Sequence, residues 1–333
     1  MSETPEIHGV AWPEAARFLG SPDQAARVEQ LECVQGPARG SRVIRVATGG
    51  GLEFDLHPDR GLDIGRATID GIGVAWLSPT GLAAPSFAEP GGLGWLRTFG
   101  GGLLTTCGLD AFGPPGVDRY GEYGQHGRVS ATPATILEAG LVNGIARVTA
   151  SVRQAGVFAE NLEMRRTISS PVGSRTITIS DRISNDGHRP WPLMVLYHCN
   201  LGWPLVSADT ELGVSEGPVE PLQQSDDDWR AFADPDPRFV ERVYLHRGTS
   251  TARLSRPSLG LGIEIKVDPA SLPCLYQWKM LGEGTYVTGL EPANCAGLVG
   301  REALGNVDAL PMLEPGESRT FEIELRLRGP LAG

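Results

Sequence analysis

The stretch Phe321-Glu322-Ile323-Glu324-Leu325-Arg326-Leu327-Arg328 decides the fold class. Apolar and charged residues alternate without a break, so one face of the segment suits a core and the other suits water. That is a half-buried β-strand. The same period returns upstream, where Ile177 and Ile179 alternate with Thr176, Thr178 and Ser180. Leu52, Phe54 and Leu56 share one face before Pro58-Asp59-Arg60-Gly61 turns the chain. Turn signals separate such runs: Asp70-Gly71, Asn143-Gly144, Asn185-Asp186-Gly187 and Pro315-Gly316. The 44 glycines and 26 prolines are scattered rather than periodic, which fits many short turns and excludes a collagen-like repeat. Strand after strand with no regular helix between predicts an all-β chain of antiparallel sheets, a β-sandwich.

One helix is predicted. Ser21-Pro22-Asp23-Gln24 reads as a capping box with Pro at the first helical position, and Ala25, Ala26, Val28 and Leu31 would carry it two or three turns. Residues 1–35 then form an N-terminal extension to a single domain spanning residues 1–333. Residues 206–240, with Ser225-Asp226-Asp227-Asp228 and Asp234-Pro235-Asp236-Pro237, read as a polar excursion over one end.

Bulk properties narrow the partners. A net charge of −11 disfavours nucleic acid. No apolar run approaches the length of a membrane span, and the first residues lack the basic and apolar regions of a signal peptide. Five dispersed cysteines without a C-x-x-C pair fit reduced thiols in a cytoplasmic protein. The pattern is compatible with a monomer or a homodimer.

Six histidines are present, and each alone is more often structural than catalytic. Two stand out by context. His126 lies in Gly124-Gln125-His126-Gly127-Arg128, where the glycines allow close approach. His198 lies in Leu196-Tyr197-His198-Cys199-Asn200-Leu201-Gly202, after an apolar run, at or near a strand end that could present it to a pocket. Glu291 precedes Pro292, which would end a central strand and fix the carboxylate at a pocket rim. An exposed turn acid is the equal alternative. Trp278-Lys279 pairs a ring that could stack on a sugar with a cation; a barrel-wall Trp with a surface Lys is the equal alternative. Phe99-Gly100-Gly101-Gly102 lacks the Gly-Lys-Ser/Thr of a phosphate loop, so its glycines serve packing or a bulge, and Cys107 nearby reads as a small buried residue. Two His and one Glu could also hold a metal, but no close-spaced pair supports it.

Four segments together resemble the aldose 1-epimerase, or galactose mutarotase-like, family and its poorly characterised bacterial branch. They are HPDRGLDI (57–64), FGGGLLTTCGL (99–109) with HGRVSATPA (126–134), LYHCNLGWPL (196–205) and TGLEPANC (288–295). The resemblance spans about residues 40 to 328. It implies a large antiparallel supersandwich with a sugar-binding cleft, a carbohydrate substrate and no cofactor or metal. It also implies that two His and one Glu act in this chain order, matching His126, His198 and Glu291. Glu291 would be the base at the anomeric hydroxyl and His198 the acid at the ring oxygen. His126 would steady charge at that oxygen or hold a hydroxyl. Arg60 is the matching sugar-binding arginine. Arg60 and Arg128 would donate hydrogen bonds, and could favour an acidic or phosphorylated sugar. Asn200, Trp278 and Lys279 complete the expected substrate contacts. Two departures stand out: Gly127-Arg128 follows the first His where the family carries Asn, and the family's hydroxyl-binding acid has no counterpart near Trp278-Lys279. Anomer interconversion is the expected reaction. The alternatives are isomerisation or epimerisation at a carbon of a keto sugar or sugar acid, or a non-catalytic carbohydrate-binding module.

Overall fold

The computed structural model describes residues 4–215, 217–223, 227–302, 304 and 310–330. Every ladder between named strands is antiparallel. Three sheets dominate: one of eight strands, one of six and one of five. The eight-stranded sheet runs Thr135–Val142, Ile145–Ala155, Asn161–Pro171, Thr176–Asn185, Ser318–Arg328, Leu261–Val267, Thr251–Arg256, Glu211–Val214. The six-stranded sheet runs Val219–Pro221, Arg242–Arg247, Cys274–Gly282, Thr285–Ala293, Leu196–Gly202, Thr105–Cys107. The five-stranded sheet is sequential from Arg27–Glu32 to Ile72–Gly73.

The period-two pattern translates directly into burial. Phe321, Ile323, Leu325 and Leu327 enter the core with Ile177 and Ile179 of the neighbouring strand. Asp70-Gly71 and Asn143-Gly144 have positive φ at both residues and each joins two paired strands. This is the primed turn whose twist matches a hairpin, and Asn or Asp before Gly tolerates it best. The run at residues 52–56 departs from strict alternation. A register shift between Phe54 and Leu56 buries Asp55, which Arg45 holds at 2.8 Å.

The predicted helix after Ser21 does not form. Ser21 Oγ accepts from the Asp23 amide, but only a 3₁₀ turn, Pro22–Gln24, follows. Arg27–Glu32 is instead an edge strand paired along its whole length with Arg42–Ala47. Cross-strand pairing outweighs a local start signal that no apolar helical face supports. The longest α-helix among the described residues is Trp12–Ala15, four residues long. None is long and apolar enough to cross a membrane. In the 206–240 excursion, Ser225 and Asp226 lie outside the described residues. Trp229, Phe232 and Phe239 pack onto the core, so the segment is less polar in effect than in composition.

The six-stranded sheet has two unlike faces. Tyr197, Cys199, Leu201, Leu275 and Leu290 belong to the main core between the sheets. Leu196, Cys274, Tyr276 and Ala293, one position out of phase, belong to a second cluster with Trp95, Phe99 and Phe112. His198, Glu291 and Trp278 share this second parity and therefore this second face. Beneath them, fully buried Arg166 ties the three sheets together. Its guanidinium donates to Asp181 of the eight-stranded sheet (2.6 Å), Asp63 of the five-stranded sheet (3.0 Å) and Thr106 of the six-stranded sheet (2.8 Å). Tyr197, next to His198, also donates to Asp181.

Candidate active site

Antiparallel register builds the site's floor. Leu196 pairs with Ala293, and Cys199 with Leu290, which sets His198 opposite Glu291. The ladder carries no pairs between those two points, the stretch that Pro292 shares with Glu291. Pro292 therefore does not end the strand. Its missing N–H falls where the ladder is interrupted, and Thr285–Ala293 continues through it, paired on its other side with Cys274–Gly282. Glu291 is accordingly a buried floor residue, 2% exposed, rather than a rim residue. Gly289, two residues back on the same face, leaves the space its side chain occupies: a Cβ there would overlap Glu291 Oε1.

His198 Nε2 lies 3.3 Å from Glu291 Oε1. The contact lacks hydrogen-bond alignment, and Oε1 has no hydrogen-bond partner, as is also true of His198 Nδ1 and Gln125 Oε1. His126 comes from a loop. It adopts φ 56°, and Gly127 φ 72°, a left-handed pair that glycine tolerates and histidine seldom does. The backbone pins it: His126 N–H donates to Gly113 C=O, and Gly108 N–H to His126 C=O. Its ring centroid sits 5.9 Å from that of His198 and 4.5 Å from Trp95.

These groups open onto a cavity of about 610 Å³. Its walls are aromatic. Trp95 stacks on Phe99 at 4.1 Å, Phe99 lies 5.2 Å from the His198 ring, and Trp278 meets that ring edge-on at 5.5 Å. Trp278 Nε1 donates to Glu241 Oε2 at 3.0 Å at the solvent side. Burial holds Glu291 well above the usual carboxylate range, and the negative charge of Glu241 adds to this. Burial, then the neighbouring His126, holds His198 well below 6.5. Burial alone pushes His126 down to about 4. Both shifts favour the uncharged pair, with the proton on the carboxyl rather than on the imidazole.

The other expected substrate contacts lie elsewhere. Arg60, on the 3₁₀ turn Pro58–Arg60, points into a separate cavity of about 470 Å³. The segment Thr98–Gly102 stands between the two cavities: Thr98 and Gly100–Gly102 line the Arg60 side, Phe99 the His198 side. Arg128 turns to the buried carboxylate of Glu160. Asn200 is sealed under Gly102, donating to its carbonyl at 3.0 Å and to that of His198 at 2.9 Å. Lys279 follows Trp278, so strand alternation sends it to the opposite face, where Nζ meets Asp227 at 2.7 Å and the Asp228 carbonyl. Trp95, Trp76 and Glu241 line the site with no sequence signal of their own, together with Phe99 of the glycine-rich stretch and Gln125 beside His126. Among the described residues no group of His, Cys, Asp and Glu is arranged for a metal ion.

A family model described as "Domain of unknown function (DUF4432)" matches residues 38–327. No curated protein matches the chain. Among solved structures, a Klebsiella pneumoniae protein named as a candidate aldose 1-epimerase superposes with TM-score 0.83 at 23% identity, covering 91% of this chain and 83% of that one. A galactose mutarotase-like protein from Clostridium acetobutylicum gives 0.66 at 13%, over 92% and 99%. A galactose 1-epimerase from Lactobacillus acidophilus gives 0.62 at 12%, over 91% and 99%. The fold is the galactose mutarotase-like fold.

Proposed function

The chain belongs to the DUF4432 family, and from its aromatic cavity and buried acid/base pair we propose that it is an isomerase that interconverts the anomers of an uncharged sugar. The observation that carries this is the 3.3 Å approach of His198 to Glu291 on the floor of that cavity. Two groups with pKa values pushed in opposite directions by one dry environment are suited to exchange a proton with a substrate in both senses. As one group takes the proton of the anomeric hydroxyl, the other protonates the ring oxygen and the ring C–O bond breaks. After rotation about the C1–C2 bond, reclosure reverses the transfers. A pair that holds one proton between its members can begin this cycle from either tautomer. His126 lies near enough to His198 to hold a hydroxyl or the ring oxygen. Trp278, at the cavity wall, is suited to the apolar side of a pyranose, and Glu241 to its hydroxyls.

Besides the Glu291 carboxyl of the uncharged pair, the cavity lining holds the carboxylate of Glu241 and, among the described residues, no Lys or Arg. The residues outside the described set include no Lys or Arg either. An acidic or phosphorylated sugar would therefore meet like charge with nothing to offset it. This favours a neutral sugar over the charged substrates that Arg60 and Arg128 would have served. Similarity to structures named as aldose 1-epimerases supports the reaction class.

The test is anomer equilibration followed by polarimetry or NMR over neutral, acidic and phosphorylated sugars, with Glu291→Gln and His198→Asn as controls. Acceleration on neutral sugars, lost in both variants, is expected. Retention of full activity by both would end the assignment. Deuterium incorporation from solvent into a C–H position would move the reading to carbon epimerisation, because ring opening exchanges no carbon-bound hydrogen.

A further inference from the structure

We propose that the Arg60 cavity is a second ligand site, separate from the His198–Glu291 pocket, and that it takes a small organic monoanion: a carboxylate head on Arg60 with an apolar body behind it. The argument begins with an arginine in an unusual position. Arg60 is 7% exposed, yet among the described residues no carboxylate oxygen lies within ion-pair distance of it. Among the described residues its donors reach two main-chain carbonyls, Thr98 at 2.9 Å and Ala83 at 3.5 Å. Buried arginines are ordinarily paired, because an uncompensated charge in a dry site is costly.

The neighbouring carboxylates are committed elsewhere. Asp63 attracts Arg60 from a distance, but its oxygens are taken up by Arg166 Nη1 and by the Thr106 amide and hydroxyl. Asp59, one residue before Arg60, faces outward to bind the Arg42 amide and guanidinium. Asp55 is held by Arg45. Asp55, Asp59 and Asp63 thus have partners, Glu32 is an exposed acid of the lining that makes no ion pair with Arg60, and Arg60 faces a 470 Å³ space.

The shape of that space defines the ligand. Leu31, Val43, Leu77, Leu82 and Ile64 line it together with Arg60. The lining's other cations are Arg45, which is committed to Asp55, and exposed Arg66, and the His57 ring, lying against Gly65, is held neutral with its pKa down at about 4 by burial. One deep positive charge calls for one negative charge, and a planar guanidinium matches a carboxylate with two parallel hydrogen bonds. A dianion would bring one charge more than the buried site compensates. The apolar lining favours an alkyl chain over a hydroxylated one. This assignment uses no residue of the His198–Glu291 pocket, so it stands or falls independently of the mutarotation reading.

The experiment is calorimetric titration of the full chain with pentanoate, 1-pentanol and inorganic phosphate. Pentanoate is expected to bind one per chain, more tightly than either comparator. Arg60→Met should weaken it about tenfold or more, the loss expected for a charge-assisted hydrogen bond. Leu77→Glu, at a half-exposed lining position, should weaken it similarly by placing a like charge at the cavity, which keeps the test sound if Arg60→Met folds poorly. Glu291→Gln should leave pentanoate binding unchanged. The proposal is overturned by an absence of pentanoate binding, by equal binding of 1-pentanol, by tighter binding of phosphate, or by pentanoate binding that survives Leu77→Glu and vanishes in Glu291→Gln.

Discussion

Gly289→Ala separates the catalytic reading of Glu291 from a structural one. Gly289 sits within a strand and is not among the positive-φ glycines, so its backbone accommodates alanine without strain. The added methyl would overlap Glu291 Oε1 and approach Trp278 Cβ to 3.2 Å. The backbone cannot easily yield, since the strand is laddered on both sides, but a carboxylate at the end of a flexible side chain can. To reach ordinary contact it must retreat by about 1 Å, a misplacement that can cost on the order of 10²-fold in rate. The stability cost of one extra methyl in a filled site is about 1–3 kcal/mol. The assay pairs polarimetric equilibration of a neutral sugar with a urea melt. Activity should fall about a hundredfold while cooperative unfolding persists. A folded Gly289→Ala protein with wild-type turnover would refute the claim that the position of this carboxylate governs the rate.

The pH profile follows from the opposed shifts. Activity needs one proton on the pair, so it should fall at low pH as His198 gains a second proton and at high pH as Glu291 loses its own; His198→Asn and Glu291→Gln each remove one limb along with about 10²–10⁴-fold of rate. Stability carries a separate sign. Glu291 has a raised folded-state pKa, so its contribution is present at low pH and is lost as pH rises through that raised value; Glu291→Gln should therefore gain stability over the parent with rising pH, by up to about 1.36 kcal/mol per pH unit, read by denaturant titration. Arg166→Met strands Asp181 and Asp63 without their cation and should cost about 3–5 kcal/mol in the same measurement, whereas a loss under 1 kcal/mol would show the network to be dispensable. Trp278→Leu removes a stacking face together with the ring edge that packs on His198; KM for a neutral sugar should rise up to about tenfold, with a smaller loss in kcat than in His198→Asn.

Much of this arrangement is legible before any coordinates. Strict alternation at Phe321–Arg328 and the Asp-Gly and Asn-Gly turns report strands and hairpins, because side-chain period and turn conformation are local properties. The grouping of His126, His198 and Glu291 is not local: it rests on a register and on a loop whose ends are held by Gly108 and Gly113. What escaped notice was set by partners distant in sequence. Arg60 has the residue type of a sugar-binding arginine, but Thr98–Gly102, some forty residues on, stands between it and the pocket. Lys279 follows the pocket residue Trp278, and alternation alone could have excluded it once that Trp was assigned a face. Trp95 and Phe99 sit in a glycine-rich segment where aromatics read as core, and no spacing rule distinguishes a cavity wall from a filled interior.

The Arg166 cluster bears on how the chain reaches this structure. Its guanidinium is satisfied by groups from three sheets, so any intermediate that has joined only two of them must either leave the cation partly bare in a forming core or keep it hydrated. Partial assemblies are penalised, and completion of the third contact releases the penalty at once. The sandwich is therefore expected to form and melt as one cooperative unit, with sheet docking, rather than strand formation, as its late step.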